Sequence, residues 1–219
     1  MTTVEFGATR FEALWRRCVP APPPSGGAAV FAELRRLFGE PYRHYHTLEH
    51  ILDCVRRVDE VASLLVDRDA VELALWFHDA VYEFGAATNE RRSAEMFLRL
   101  SNGASPVFRR RVCGLILATR HSGIVHGNDR RFIVDIDLAG FGAPWPEFMR
   151  NGTLLRKESP ARTDAQYQTG QVFFLNRLQR RARFFSTDYF RDKYEQTARE
   201  NLRRLLDDLA CQGYTPPAL

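Results

Sequence analysis

Between Val71 and Tyr82 the chain reads Val71-Glu72-Leu73-Ala74-Leu75-Trp76-Phe77-His78-Asp79-Ala80-Val81-Tyr82, an apolar, helix-compatible run with a histidine and an aspartate side by side near its end. The pattern predicts a helix over Asp69–Tyr82 with little polar face. Such a helix must be covered by other elements, because only the interior of a fold accepts an apolar surface on all sides. An imidazole and a carboxylate left unpartnered in those surroundings cost several kcal/mol, so the pair must be hydrogen-bonded or hold a metal. Any fold open to this chain therefore has to bring further polar groups to His78 and Asp79.

The flanking segments are helical in period. Phe6, Phe11, Leu14 and Trp15 mark a first amphipathic helix from Val4 to about Cys18, stopped by Pro20-Ala21-Pro22-Pro23-Pro24-Ser25-Gly26-Gly27. A second is expected over Ala28–Phe38. A third begins near Thr47, where Leu48, Ile51, Leu52, Val55, Val58, Val61, Ala62 and Leu65 recur at spacings of three and four. Thr88 is placed to cap a helix over Asn89–Leu100, and Pro106–Thr119 forms another. The stretch Phe132-Ile133-Val134-Asp135-Ile136-Asp137-Leu138 alternates apolar and polar residues and taken alone fits a strand or a short helix. Nothing nearby resembles a partner strand. From Asp164 to Ala210 two long, Arg-rich helical patterns meet at Ser186-Thr187.

These patterns add up to an all-α fold. With 219 residues, 45% of them hydrophobic, the chain suffices for one substantial core, which places an N-terminal helix and proline-rich linker over residues 1–27 and a single helical domain over 28–210. A net charge of +4 is too small to mark a surface for long nucleic acid. Cys18, Cys54, Cys113 and Cys211 are scattered, without a C-x-x-C pair, which suits a reducing compartment. The N-terminus carries no basic region followed by an apolar run, and no stretch approaches eighteen apolar residues, so a soluble cytoplasmic protein with no membrane partner is expected.

Upstream of the doublet, Tyr42-Arg43-His44-Tyr45-His46-Thr47-Leu48-Glu49-His50-Ile51 concentrates three of the six histidines in seven positions. His46 and His50 stand at i and i+4; if both are helical they project from one face, a spacing that suits a ligand and the partner behind it. His44 would point elsewhere. Downstream, Asp135 and Asp137 would point about 200° apart on a helix, so only one of them can share a cavity with the doublet. Two imidazoles and two carboxylates form a mixed nitrogen and oxygen set suited to Mn, Mg, Co, Ni, Zn or Fe.

The order histidine, histidine-aspartate, aspartate on helices resembles the HD superfamily of metal-dependent phosphohydrolases. Four blocks carry the resemblance, Tyr45-His46-Thr47-Leu48-Glu49-His50-Ile51, Trp76-Phe77-His78-Asp79-Ala80-Val81-Tyr82, Asn89-Glu90-Arg91-Arg92-Ser93-Ala94 and Asp135-Ile136-Asp137-Leu138, spread over roughly Phe31 to Leu206. What it implies is an HD-type helical domain in which His46, His78, Asp79 and Asp137 bind one divalent ion. It favours Asp137 over Asp135, since the ligand in such proteins is usually the second aspartate of the D-x-D.

The expected activity is hydrolysis of a nucleotide or another small phosphoester by metal-activated water. Glu83, one turn past Asp79, is a candidate acid or base if desolvation raises its pKa, although the acid some HD hydrolases carry is replaced here by Tyr82. His121, in a Thr-Arg-His element similar to one in related proteins, is a second candidate for proton transfer. Arg43, His50 and Arg156 are expected at the substrate, the arginines because guanidinium groups bind phosphate bidentately. Two other readings stay open: a metal-containing nucleotide-binding module without turnover, and a di-iron oxygenase with His121 and His126 at a second ion. A homodimer is also left open.

Overall fold

The computed structural model describes residues 2–20, 26–121, 123 and 125–215. Among them are ten α-helices and no strand: α1 (Thr3–Cys18), α2 (Gly27–Phe38), α3 (Leu48–Glu60), α4 (Arg68–Phe77), α5 (Asn89–Leu100), α6 (Pro106–Ala118), α7 (Asn128–Leu138), α8 (Trp145–Lys157), α9 (Asp164–Gln179) and α10 (Asp188–Cys211). Short 3-10 turns occupy Ala62–Leu64 and Ala139–Gly142. The all-α reading of the sequence holds. Residues 21–25 of the proline-rich linker lie outside the described residues. No described helix is long and apolar enough to cross a membrane.

The helices form two compact units, Met1–Ile136 and Asp137–Leu219. In the first, α4 is central. Its residues Ala70 to Phe77 are all buried, and α1, α3, α5 and α6 pack against it. Phe11 and Trp15 of α1, Phe31 of α2, and Trp76 and Phe77 of α4 form one aromatic cluster, with Phe11 edge-on to Trp76 at 5.3 Å and stacked on Trp15 at 5.6 Å. Each such ring contributes on the order of 1.5–3 kcal/mol by burial. The buried carboxylate of α4, Glu72, is satisfied by Arg10 at 2.7 Å, which also reaches Asp59 of α3 at 2.6 Å. That guanidinium therefore ties α1, α3 and α4 together.

Local signals set the helix ends. Thr2 and Glu5 form a reciprocal capping box, Asp67 accepts from the Ala70 amide at the start of α4, and Ser105 caps α6 with Pro106 in its first turn. Thr88 stands at the N-cap of α5 but its side chain makes no capping bond. The segment 128–138 is helical. Phe132, Ile133, Val134, Asp135, Ile136 and Leu138 are all buried, so from Phe132 onward this helix has little polar face whose period the sequence could display. The helix expected over Asp69–Tyr82 stops at Phe77, and His78 and Asp79 stand in the turn that follows.

In the second unit α10 packs on α9 and on the turn at Ala139–Gly142. Asn201 donates to the carbonyls of Phe141 and Ala143 at 2.9 and 2.8 Å. A side chain at Gly142 would meet Tyr194 Cβ at 2.6 Å, so only glycine allows that approach. The break between the two long C-terminal helices spans Arg180 to Thr187, wider than Ser186-Thr187 alone. It is filled by Phe184 and Phe185, both buried, whose amides donate to Glu195.

Candidate metal centre

The first histidine block is not a continuous helix. Thr47 is the N-cap of α3, in extended conformation, and the helix begins at Leu48. His50 therefore sits in the first turn of α3 with its ring buried, whereas His46 precedes the cap in a turn. The two residues therefore do not share a helix face, although their ring centroids lie only 6.0 Å apart, at 77°.

The doublet follows α4 directly. His78 is 1% exposed, and its Nδ1 lies 2.8 Å from the carbonyl of Leu75. A carbonyl only accepts, so Nδ1 carries the proton and Nε2 faces the site. That Nε2 is 3.0 Å from Asp79 Oδ2. The same carboxylate oxygen is 3.7 Å from His50 Nε2 and 4.0 Å from His46 Nε2.

The fourth group comes from α7. Asp129 accepts the amides of Val66 and Asp67 at 2.8 and 2.9 Å, and Asn128 donates to Leu64 at 2.7 Å, so the start of α7 is fixed to the loop that leads into α4. Asp137 lies in the last turn of the same helix. Ligand atoms of His50, His78, Asp79 and Asp137 all lie within 4.8 Å of one another. Asp135, fully buried, is not in this group.

The donor set fits a divalent ion. Ligands about 2.1 Å from a common ion stand roughly 3.0 Å apart when adjacent and about 4.2 Å when opposite. Separations of 3.0 and 3.7 Å within a 4.8 Å group lie within about 0.6 Å of those two spacings. Two imidazoles, two carboxylates and no thiolate suit a borderline or hard cation.

Three of the four expected ligands, His78, Asp79 and Asp137, are thus brought together, and the nearest histidine from the first block is His50, which the sequence placed at the substrate. His46 borders the group, its ring stacked on Tyr82 at 4.1 Å. Arg43 is buried, and its guanidinium donates to the carbonyls of His46, Asp79 and Ala80 and to the Glu40 carboxylate, so it is committed within the protein instead of standing open to a phosphate. Arg156 belongs to the second unit, where it bonds Asp164 and the carbonyls of Ser159 and Arg162 and lies over the Tyr167 ring. The Glu83 side chain is 71% exposed beside Arg92 at 3.3 Å, and the desolvation its catalytic role required is missing. His121 follows α6 with φ +53°, a left-handed backbone uncommon outside glycine, and neither it nor His126 joins the group.

Two residues of the Asn89–Ala94 block acquire a role the sequence did not suggest. Asn89 holds both the amide and the carbonyl of Glu83, at 3.1 and 2.8 Å, and Ser93 does the same for Val81, at 3.0 and 3.4 Å. The available signal was their position: both stand on the helix that directly follows the doublet's turn.

No family profile matches the chain, and neither a curated protein nor a solved structure matches it.

Proposed function

We propose that this protein is a divalent-metal-dependent phosphohydrolase acting on a nucleotide or another small phosphoester. The observation that carries the reading is the convergence of His50, His78, Asp79 and Asp137 within 4.8 Å, a mixed donor set suited to Lewis-acid hydrolysis. The order of the histidine and aspartate blocks, which resembles that of HD phosphohydrolases, supports the same chemistry.

An ion held by these residues would lower the pKa of its bound water, making hydroxide available near neutral pH, and would polarise a phosphoryl oxygen. The remaining tasks fall to the protein. His78 is oriented by its bond to Leu75, and Asp79 presents one oxygen to three imidazoles. His46 is the proton carrier of this reading. It is partly exposed, braced by Tyr82 and outside the four closest ligand atoms, and imidazole transfers protons well near neutral pH. As water attacks phosphorus and the ester P–O bond breaks, the proton the water gives up passes to His46 and from it to the leaving oxygen.

Protein purified without chelator and assayed with Mn, Co, Ni or Mg is expected to release phosphate from at least one member of a nucleotide and phosphomonoester panel. His78→Ala and Asp79→Ala should abolish that release. A wild-type protein silent across the panel with every metal would refute the proposal.

A further inference from the structure

The turn that carries His78 and Asp79 follows the end of α4, where the helical ladder runs out. The Ala80 amide donates to the Phe77 carbonyl at 2.9 Å, and side chains from two segments hold further backbone groups. On one side stands Arg43, whose side chain is fully buried: Nη1 donates to Asp79 O at 2.6 Å and to His46 O at 3.3 Å, Nη2 donates to Ala80 O at 2.9 Å, and Nε donates to Glu40 at 3.3 Å. The Phe38 and Tyr82 rings lie 5.5 and 5.6 Å from its guanidinium carbon. On the other side Ser93 and Asn89 hold the backbones of Val81 and Glu83.

We infer that Arg43, with Ser93 and Asn89 opposite, forms a clamp that sets the geometry of the metal centre without supplying a ligand. The inference rests on the proposal that His50, His78, Asp79 and Asp137 bind a metal. Asp79 Oδ2 is the atom that all three imidazoles approach, so the placement of the Asp79 backbone decides whether the ligand atoms converge. Arg43 fixes that backbone directly and binds the His46 carbonyl with the same nitrogen, which locks the turn before α3 to the turn after α4. Only a planar fork of donors spans three carbonyls and a carboxylate at once. A lysine in its place presents one point charge and reaches a single acceptor well. Arg43 is a positioning residue, and its conservation of charge alone does not preserve the site.

Cobalt titration tests the clamp, read by dialysis with metal analysis and by the visible Co(II) spectrum, beside circular dichroism and metal-free thermal unfolding. Outer partners of metal ligands typically change affinity by about 10–100-fold. Arg43→Lys is expected to raise the Co(II) dissociation constant at least about tenfold and to alter the spectrum; Ser93→Ala, a near-isosteric change, should raise it several-fold. Val30→Ala, which opens a cavity in the same unit away from the turn, should lower the unfolding temperature yet keep affinity within about threefold. Affinity within about threefold of wild type for both Arg43→Lys and Ser93→Ala overturns the clamp, as does an equal loss in Val30→Ala. Should Arg43→Lys fail to fold, Ser93→Ala decides by the same criterion. Wild-type protein that takes up no cobalt overturns the metal centre and the clamp with it, a result distinct from failure of the variants alone.

Discussion

The proposal that His50 rather than His46 binds metal leads to a comparison of His50→Ala with His46→Ala by metal-linked thermal shift. A ligand that binds only the folded state stabilises it by about 2.7 kcal/mol at a free concentration of 100 times its dissociation constant. For a chain of 150–250 residues each kcal/mol moves the melting temperature by about 2–4 °C, so wild-type protein should gain roughly 5–11 °C. Removing a direct donor should weaken binding by about 100-fold or more, since even outer partners cost 10–100-fold. At unchanged metal concentration the stabilisation of His50→Ala then falls to about 0.4 kcal/mol, a shift of roughly 1–2 °C.

His46→Ala loses an imidazole 4.0 Å from Asp79 Oδ2 and outside the ligand group. A tenfold weakening, the low end for an outer partner, leaves about 1.4 kcal/mol, or roughly 3–6 °C. Each variant is compared with its own metal-free form, because the buried His50 ring also contributes packing that its removal forfeits. The chain has two compact units, so the relevant quantity is the transition that responds to metal. An inverted order, with His46→Ala reduced to 1–2 °C and His50→Ala retaining most of the shift, would falsify the assignment and restore His46 as the ligand.

Two further outcomes test the supports of the two units. Asp129→Ala releases the amides of Val66 and Asp67 from a charged acceptor, each bond worth about 1.5–3 kcal/mol, and should lower both the melting temperature and the cobalt affinity, because α7 also carries Asp137. Unchanged affinity in that variant would mean that the start of α7 does not place Asp137. In the second unit, burial pushes the Glu195 carboxyl up, but the Phe184 and Phe185 amides and Arg199 outweigh it and hold its pKa below the usual glutamate value. Its contribution is therefore fully present above about pH 4.3 and is lost as pH falls through the depressed folded value. Glu195→Gln should cost stability at neutral pH and flatten the acid limb below about pH 4.3; melts with the same acid limb as wild type would contradict this.

Much of the helical order was legible because burial left a period. Phe6, Phe11, Leu14 and Trp15 mark the inner face of α1, and the three-and-four spacing from Leu48 onward marks α3. Where burial is complete the period vanishes. From Phe132 on, the buried apolar residues of α7 and the buried Asp135 leave only the accidental alternation of Val134 to Leu138, which imitates a strand. The end of α4 was hidden for the same reason, since Ala80 and Val81 prolong the apolar run although the chain has already turned after Phe77.

The site shows a sharper limit. Residue types announced the donors, because a histidine-aspartate doublet among apolar residues has few uses. Which histidine of the first block reaches the doublet depends on whether the helix begins before or after Thr47, and the cap decides it. Threonine before an apolar periodic run is a helix-start signal, which puts His50 on α3 and His46 in the turn ahead of it. The i to i+4 spacing needs both residues on the helix, whereas only His50 is on it, and it is His50 that groups with the doublet and Asp137. Arg43 was misread for a related reason. A guanidinium beside candidate ligands suits an external phosphate or an internal carbonyl equally well, and only the fold shows that the carbonyls of Asp79 and Ala80 reach it first. Donors are thus readable from residue type, whereas the groups that aim them bind backbone atoms, which every residue possesses and no sequence pattern marks.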